Sequence, residues 1–142
     1  MILNMKNFQS VSLLFIFFVL IAFSACGQQA AKQNEQKFLL LAPVEFKAAL
    51  EKETDVQLID VRTPAEVKKG HLKGAKNLNL FDDDFKQQLE KLDKEKPVYV
   101  YCQVGGRSGE CAAMLKEMGF KNITDMDGGF GKWQKAGLPV EQ

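Results

Sequence analysis

The sequence has a single histidine, His71, and only three cysteines, Cys26, Cys102 and Cys111. Three cysteines are too few for a disulfide framework, and their spacings match no zinc pattern. No structural metal site and no resident cofactor are therefore expected, and each cysteine needs its own explanation. An excess of charge is missing as well: 19 Lys and Arg face 18 Asp and Glu, for a formal net charge of +1. Lys6 is the only basic residue before Cys26, so the rest of the chain is balanced at 18 against 18. No basic stripe points to nucleic acid or to an anionic membrane surface. There is no internal repeat, and no apolar run reaches the about 20 residues that a spanning helix needs. What remains is an ordinary globular balance, 46% hydrophobic and 26% charged over 142 residues, which fits one compact domain with a short extension.

The extension is the N-terminal part. Residues 11–23 (VSLLFIFFVLIAF) carry no charge and follow Lys6, giving a positive n-region and an apolar h-region of secretory length. The segment ends in Ser24-Ala25-Cys26-Gly27, which resembles the lipobox of bacterial lipoproteins, with Phe23 where an aliphatic residue is usual. The resemblance implies a signal peptide over 1–25, cleavage before Cys26, lipidation of the Cys26 thiol, and export to the bacterial periplasm or cell surface on a membrane anchor. Several acyl chains hold a protein where one does not. The alternative is an uncleaved signal anchor, for which the run is short. Residues 26–36 then hold the lipidated cysteine and a polar tether, GQQAAKQNEQ, with no large apolar residue.

From residue 37 to 142 short apolar runs alternate with helical spacing. Strands are expected at 38–41, 56–61, 76–80, 97–101 and 123–126. Phe46, Ala49 and Leu50 share a helical face after Pro43. Thr63-Pro64 opens a short helical turn that Gly70 ends. Phe85, Leu89 and Leu92 predict a helix over 82–93. Cys111, Met114, Leu115 and Met118 predict another from about 108 to 118, stopped by Gly119. A final helical piece spans 130–135 and carries Trp133. Such alternation predicts an α/β fold with a mainly parallel sheet of about five short strands, covered on both faces. In these sheets ligands bind beyond the carboxyl ends of the strands, and Cys102 lies at one such end.

Cys102 opens the loop Gln103-Val104-Gly105-Gly106-Arg107, which leads into a helix. Glycines accept positive φ and let a tight loop turn its N–H groups toward one centre. A nest of this kind, along a helix N-terminus, binds anions and favours a thiolate, the nucleophilic form of cysteine. Arg107 is expected to add a fixed positive charge. No histidine partner is required. Cys102 is thus the candidate nucleophile, and Gln103, Val104, Gly105, Gly106 and Arg107 are the candidate substrate-binding residues. A buried structural cysteine is the competing reading.

The ordered motifs resemble the rhodanese-like sulfurtransferases over roughly residues 38–141. They are Leu58-Ile59-Asp60-Val61-Arg62-Thr63-Pro64 with Glu66, then Gly70-His71-Leu72-Lys73-Gly74-Ala75, then the loop from Tyr101-Cys102 to Arg107-Ser108. Asp127-Gly128-Gly129-Phe130 with Trp133, and Ala136-Gly137-Leu138-Pro139-Val140, close the series. The resemblance implies a rhodanese-like three-layer α/β/α fold and a persulfide on Cys102. A sulfane sulfur would pass from a donor such as thiosulfate to a thiophilic acceptor: cyanide, a thiol or a protein cysteine. It implies that Arg107 orients an anionic donor, and that Asp60 and Arg62 pack beside the loop and fix it. Four residues separate Cys102 from Arg107; phosphatases with a related loop have one more, which leaves room for phosphate. Gln103 stands where arginine is frequent, so one positive charge is absent from the mouth and a neutral or protein-borne donor gains ground. The second reading is a non-enzymatic persulfide carrier or an anion- or protein-binding module. A monomer is expected.

Among the remaining residues, His71 is expected to hold a turn. Cys111, on an apolar helical face, is expected to pack in the core and not to pair with Cys102. Phe130 and Trp133, after Gly128-Gly129, either line the pocket mouth or cap the core, and core packing is expected. Asp82-Asp83-Asp84 is expected to open a helix, where carboxylates suit the dipole. The mass of the mature protein tests the N-terminal reading. A chain that begins at a lipidated Cys26 is expected, and an unmodified Met1 terminus in the membrane fraction would overturn it.

Overall fold

The structure, a computed structural model, describes residues 35–142; the expected signal peptide, Cys26 and most of the expected tether lie outside them. Five strands are present: β1 (Lys37–Leu41), β2 (Gln57–Asp60), β3 (Lys76–Asn77), β4 (Val98–Tyr101) and β5 (Asn122–Met126). Five helices join them: α1 (Pro43–Leu50), α2 (Pro64–Val67), α3 (Phe85–Glu90), α4 (Gly106–Glu117) and α5 (Gly129–Lys135). The strand order is β1-β5-β4-β2-β3 and every pairing is parallel. This is the expected rhodanese-like α/β fold. No helix among the described residues is long and apolar enough to cross a membrane.

β4 shows why the sheet carries helices on both faces. All four of its residues are buried, and their side chains alternate between two cores. Val98 and Val100 join Leu89, Cys111, Leu115 and Phe120 on one side. Tyr99 and Tyr101 join Phe46, Leu72, Met126 and Trp133 on the other, with Tyr99 edge-on to Phe46 at 5.1 Å between ring centres. Cys102 continues the Val98–Val100 side, so the pleat itself aims the thiol toward α4.

Three elements depart from the sequence expectation. β3 ends at Asn77, whose side chain donates to the carbonyls of Asp60 and Arg62 at 2.9 and 2.8 Å; beyond it the Leu78 and Leu80 N–H groups still reach the Asp60 and Val61 carbonyls at 3.0 and 3.3 Å, while their side chains enter the core. α3 starts at Phe85, not at residue 82, because Asp82 is held in a turn by Asn79 at 2.6 Å. The acids at 82 and 83 therefore precede the helix, and Asp84 at the N-cap accepts from the Gln88 side chain instead of a backbone N–H. α4 begins at Gly106, ahead of residue 108, since Gly105 in the left-handed region (φ 103°) makes the N-cap. The last loop residues are thus already helical.

α5 fixes the loop from outside. The Phe130 N–H donates to the Cys102 carbonyl at 2.7 Å, and the Gly131 N–H to that of Gln103 at 3.0 Å. The approach needs a bare Gly129: at φ 60°, a Cβ there would lie 2.4 Å from the Cys102 carbonyl oxygen. Gly129→Ala is expected to cost about 2 kcal/mol or more, from left-handed strain and the backbone clash together. Urea denaturation measures it.

Candidate active site at the carboxyl end of β4

The sulfur of Cys102 accepts a hydrogen bond from the Gly105 N–H at 3.1 Å. Of the loop's N–H groups, Gly105's is the one bonded to the Cys102 sulfur, and the first turn of α4 backs it. The first N–H groups of a helix lack internal partners and carry the positive end of its dipole, so they favour an anion there. Cys102 is fully buried, whereas Val104 at the loop tip is 74% exposed.

Beneath the loop lies a buried ion pair. Asp60 and Arg62 are almost completely enclosed. The Arg62 Nε donates to both Asp60 oxygens at 3.0 Å, and Nη2 donates to Oδ2 at 2.6 Å and to the Gly70 carbonyl at 2.8 Å. Nη1 reaches the Gln103 Oε1 at 3.3 Å, and the guanidinium lies over Phe130, 4.0 Å from the ring centre. Gln103 thus supplies an acceptor, a role its amide can fill and a cationic side chain cannot. Opening such a pair from one side costs about 3–5 kcal/mol, because the other charge stays buried.

Arg107, the expected fixed positive charge, is paired. Its two terminal nitrogens grip both oxygens of Glu66, at 2.8 and 2.6 Å. Glu66 is held ready by a capping box at the start of α2: it accepts from the Thr63 N–H at 3.0 Å and from the Thr63 hydroxyl at 2.8 Å. Bidentate pairs of this geometry are among the stronger charge-assisted contacts. Arg107, with the hydroxyl of Thr63, pulls the Glu66 carboxyl from the usual 4.5 to about 2, while Glu66 pushes the guanidinium higher still. Phe81, 67% exposed, has its ring 5.8 Å from the Arg107 guanidinium carbon.

The family profile described as "Rhodanese-like domain" matches residues 42–136. The chain belongs to the rhodanese-like family. It is 43% identical over 93 residues to the uncharacterized protein YqhL of Bacillus subtilis, covering 66% of this chain and 70% of that one. It is 32% identical over 98 residues to the thiosulfate sulfurtransferase GlpE of Vibrio cholerae, covering 69% and 91%. The crystal structure of a rhodanese-like domain protein from Staphylococcus aureus superimposes with a TM-score of 0.61 at 27% identity, over 75% of this chain and all of that one.

The other singled-out residues of this rhodanese-like domain take structural places. His71 pairs its backbone with Glu141, each N–H meeting the other's carbonyl at 2.8 Å, and its Nδ1 has no partner. Cys111 is buried and unpaired, and so is Cys102. Burial and the charges of Asp125 and Glu110 push the Cys111 thiol up to about 12, which keeps it protonated and unreactive. Trp133 donates from its indole to the Pro139 carbonyl at 2.9 Å. Among the described residues, no group of acids, histidines or cysteines could hold a metal ion. One residue escaped the sequence reading altogether: Asp125 on β5, 3% exposed and set against α4.

The Glu66 shift has a consequence in acid. A carboxyl whose folded value is depressed stabilises the fold above its ordinary 4.5, and loses that contribution as the pH falls toward about 2. Wild type is expected to lose more stability than Glu66→Gln across this window, as read by denaturant midpoints.

Proposed function

We propose that this protein is a sulfurtransferase that carries sulfur as a persulfide on Cys102. The observation that carries the reading is the Cys102 sulfur, bonded to the Gly105 N–H at 3.1 Å at the mouth of α4. The four-residue spacing to Arg107 supports sulfur over phosphate as the bound group, and the sulfurtransferase names of relatives such as the Vibrio protein agree with it. In the first step the Cys102 thiolate attacks the outer sulfur of the donor. That S–S bond breaks, and the leaving group departs with the electron pair, as sulfite if the donor is thiosulfate. In the second step a thiolate or cyanide attacks the outer sulfur of the persulfide and releases the Cys102 thiolate. This is ping-pong covalent catalysis.

The site's charges bear on the donor. Arg107 is neutralised by Glu66, and Gln103 brings no charge. Val104 and Phe81 present exposed apolar surface at the rim. A mouth of this kind supports a neutral or protein-borne donor or acceptor over a small dianion. The same features keep alive a non-enzymatic persulfide carrier that docks and hands sulfur on. We further propose that the domain works exported, on a lipid anchor at Cys26.

Intact mass after incubation with thiosulfate, and separately with a low-molecular-weight persulfide, tests the reading. One added sulfur on wild type and none on Cys102→Ser is expected, with the persulfide reacting faster. Folded wild type that gains no sulfur from either donor would remove the proposal. Sulfur loading without turnover to cyanide or thiols would favour the carrier.

A further inference from the structure

Asp125 lies on the β5 face that looks at α4. Its register neighbours are Val100 on β4 and Leu40 on β1, both apolar. Across from it are the first turns of α4: a Cβ built on Gly109 would stand 3.9 Å from the Asp125 Oδ2, and the buried Ser108 side chain, like the Met126 N–H, is a hydrogen-bonding neighbour that lowers the carboxyl. The Asp125 Oδ1 is buried and has no hydrogen-bond partner. The titratable groups facing it are all acids or thiols. Cys111 is on α4 with Glu110 behind it, and Asp127 follows on the chain, itself paired with Lys132. Among the described residues no cation compensates Asp125.

Ser108 connects this carboxyl to the reacting loop. Its hydroxyl lies 3.2 Å from the Gly105 carbonyl, to which it donates, and Gly105 is the residue whose N–H holds the Cys102 sulfur. A serine hydroxyl has one proton to give. A neutral Asp125 can donate its own proton to the Ser108 oxygen and leave the serine proton on Gly105. An ionised Asp125 can only accept. It competes for the serine proton, and it puts a negative charge under the helix turn that favours the Cys102 thiolate.

We propose that Asp125 is a positioning residue of the Cys102 loop, acting through Ser108 on Gly105. Neutral, it completes the hydrogen-bond chain to the loop; charged, it loosens the chain and opposes the thiolate. Burial in an apolar setting raises the carboxyl to about 6, so the changeover falls near neutral pH. The inference rests on Cys102 being the reacting thiol, but not on the identity of the sulfur donor.

The test is the alkylation rate of Cys102 by iodoacetamide, followed on the Cys102 peptide by mass spectrometry from pH 5 to 8 in wild type and Asp125→Asn. Thiol alkylation needs no sulfur transfer, so a failed sulfurtransferase reading would show separately as absent persulfide formation. The Asn variant is isosteric and keeps a hydrogen-bond donor for Ser108. Its rate relative to wild type is expected to be close to unity at pH 5. It should rise to roughly threefold to tenfold at pH 8, since one unit of thiol shift is tenfold in thiolate, with a midpoint near 6. A ratio that stays flat with pH, or a wild-type midpoint in the ordinary carboxylate range, overturns the proposal. In a Ser108→Ala background the Asn substitution is expected to gain less. An equal gain in both backgrounds would overturn the route through Ser108.

Discussion

One buried guanidinium ties together the parts that make the site. Arg62 follows β2, pairs with Asp60 at its end, bonds the Gly70 carbonyl at the turn after α2, reaches Gln103 in the loop and lies on Phe130 at the start of α5. Each contact comes from a different segment, so the loop's position depends on all of them being in place together. A charge enclosed this fully is tolerated only when its donors are matched. Here an acid, a carbonyl, an amide and an aromatic face do the matching. Phe130 in turn holds the Cys102 carbonyl through its own N–H. The reactive residue is thereby gripped at its carbonyl by α5 and at its sulfur by Gly105.

The electrostatics above that layer are more balanced than the loop's composition suggests. Arg107 belongs to Glu66, Arg62 to Asp60, and Lys132 to Asp127. What remains to favour a sulfur anion is local and dipolar: one N–H on the sulfur and the first turn of α4. Dipolar stabilisation of this sort acts at short range. It responds to nearby buried charge more than to surface lysines, and this is why an acid such as Asp125, tucked under the same turn, matters out of proportion to its invisibility from outside.

Much of this was legible in the sequence where it rests on local pattern. The β-branched and aromatic run of β4 and the spacing of Cys111, Met114, Leu115 and Met118 set β4 and α4, and with them the loop at the strand's carboxyl end. Boundaries failed where side chains captured backbone groups: β3 ended early at Asn77, and Asn79 delayed α3. The Arg107–Glu66 pair joins residues 41 apart; the Thr63-Pro64-Ala65-Glu66 capping box could have located the acid, but nothing local shows that the arginine comes to it. Asp125 was missed for a similar reason. In Asn122-Ile123-Thr124-Asp125-Met126 an acid reads as a solvent-facing position, and only the placement of β5 between β1 and β4 turns it inward.

The fork between Arg107 and Glu66 also bears on how a donor arrives. With the loop's one formal cation already matched, the mouth projects little field into solvent, and encounter owes little to long-range attraction. Collisions are then selected at contact, by fit against Val104 and Phe81 and by the chemistry of the incoming sulfur. Such a site discriminates late, after touching its partner, and it does so almost equally well in dilute buffer and in concentrated salt.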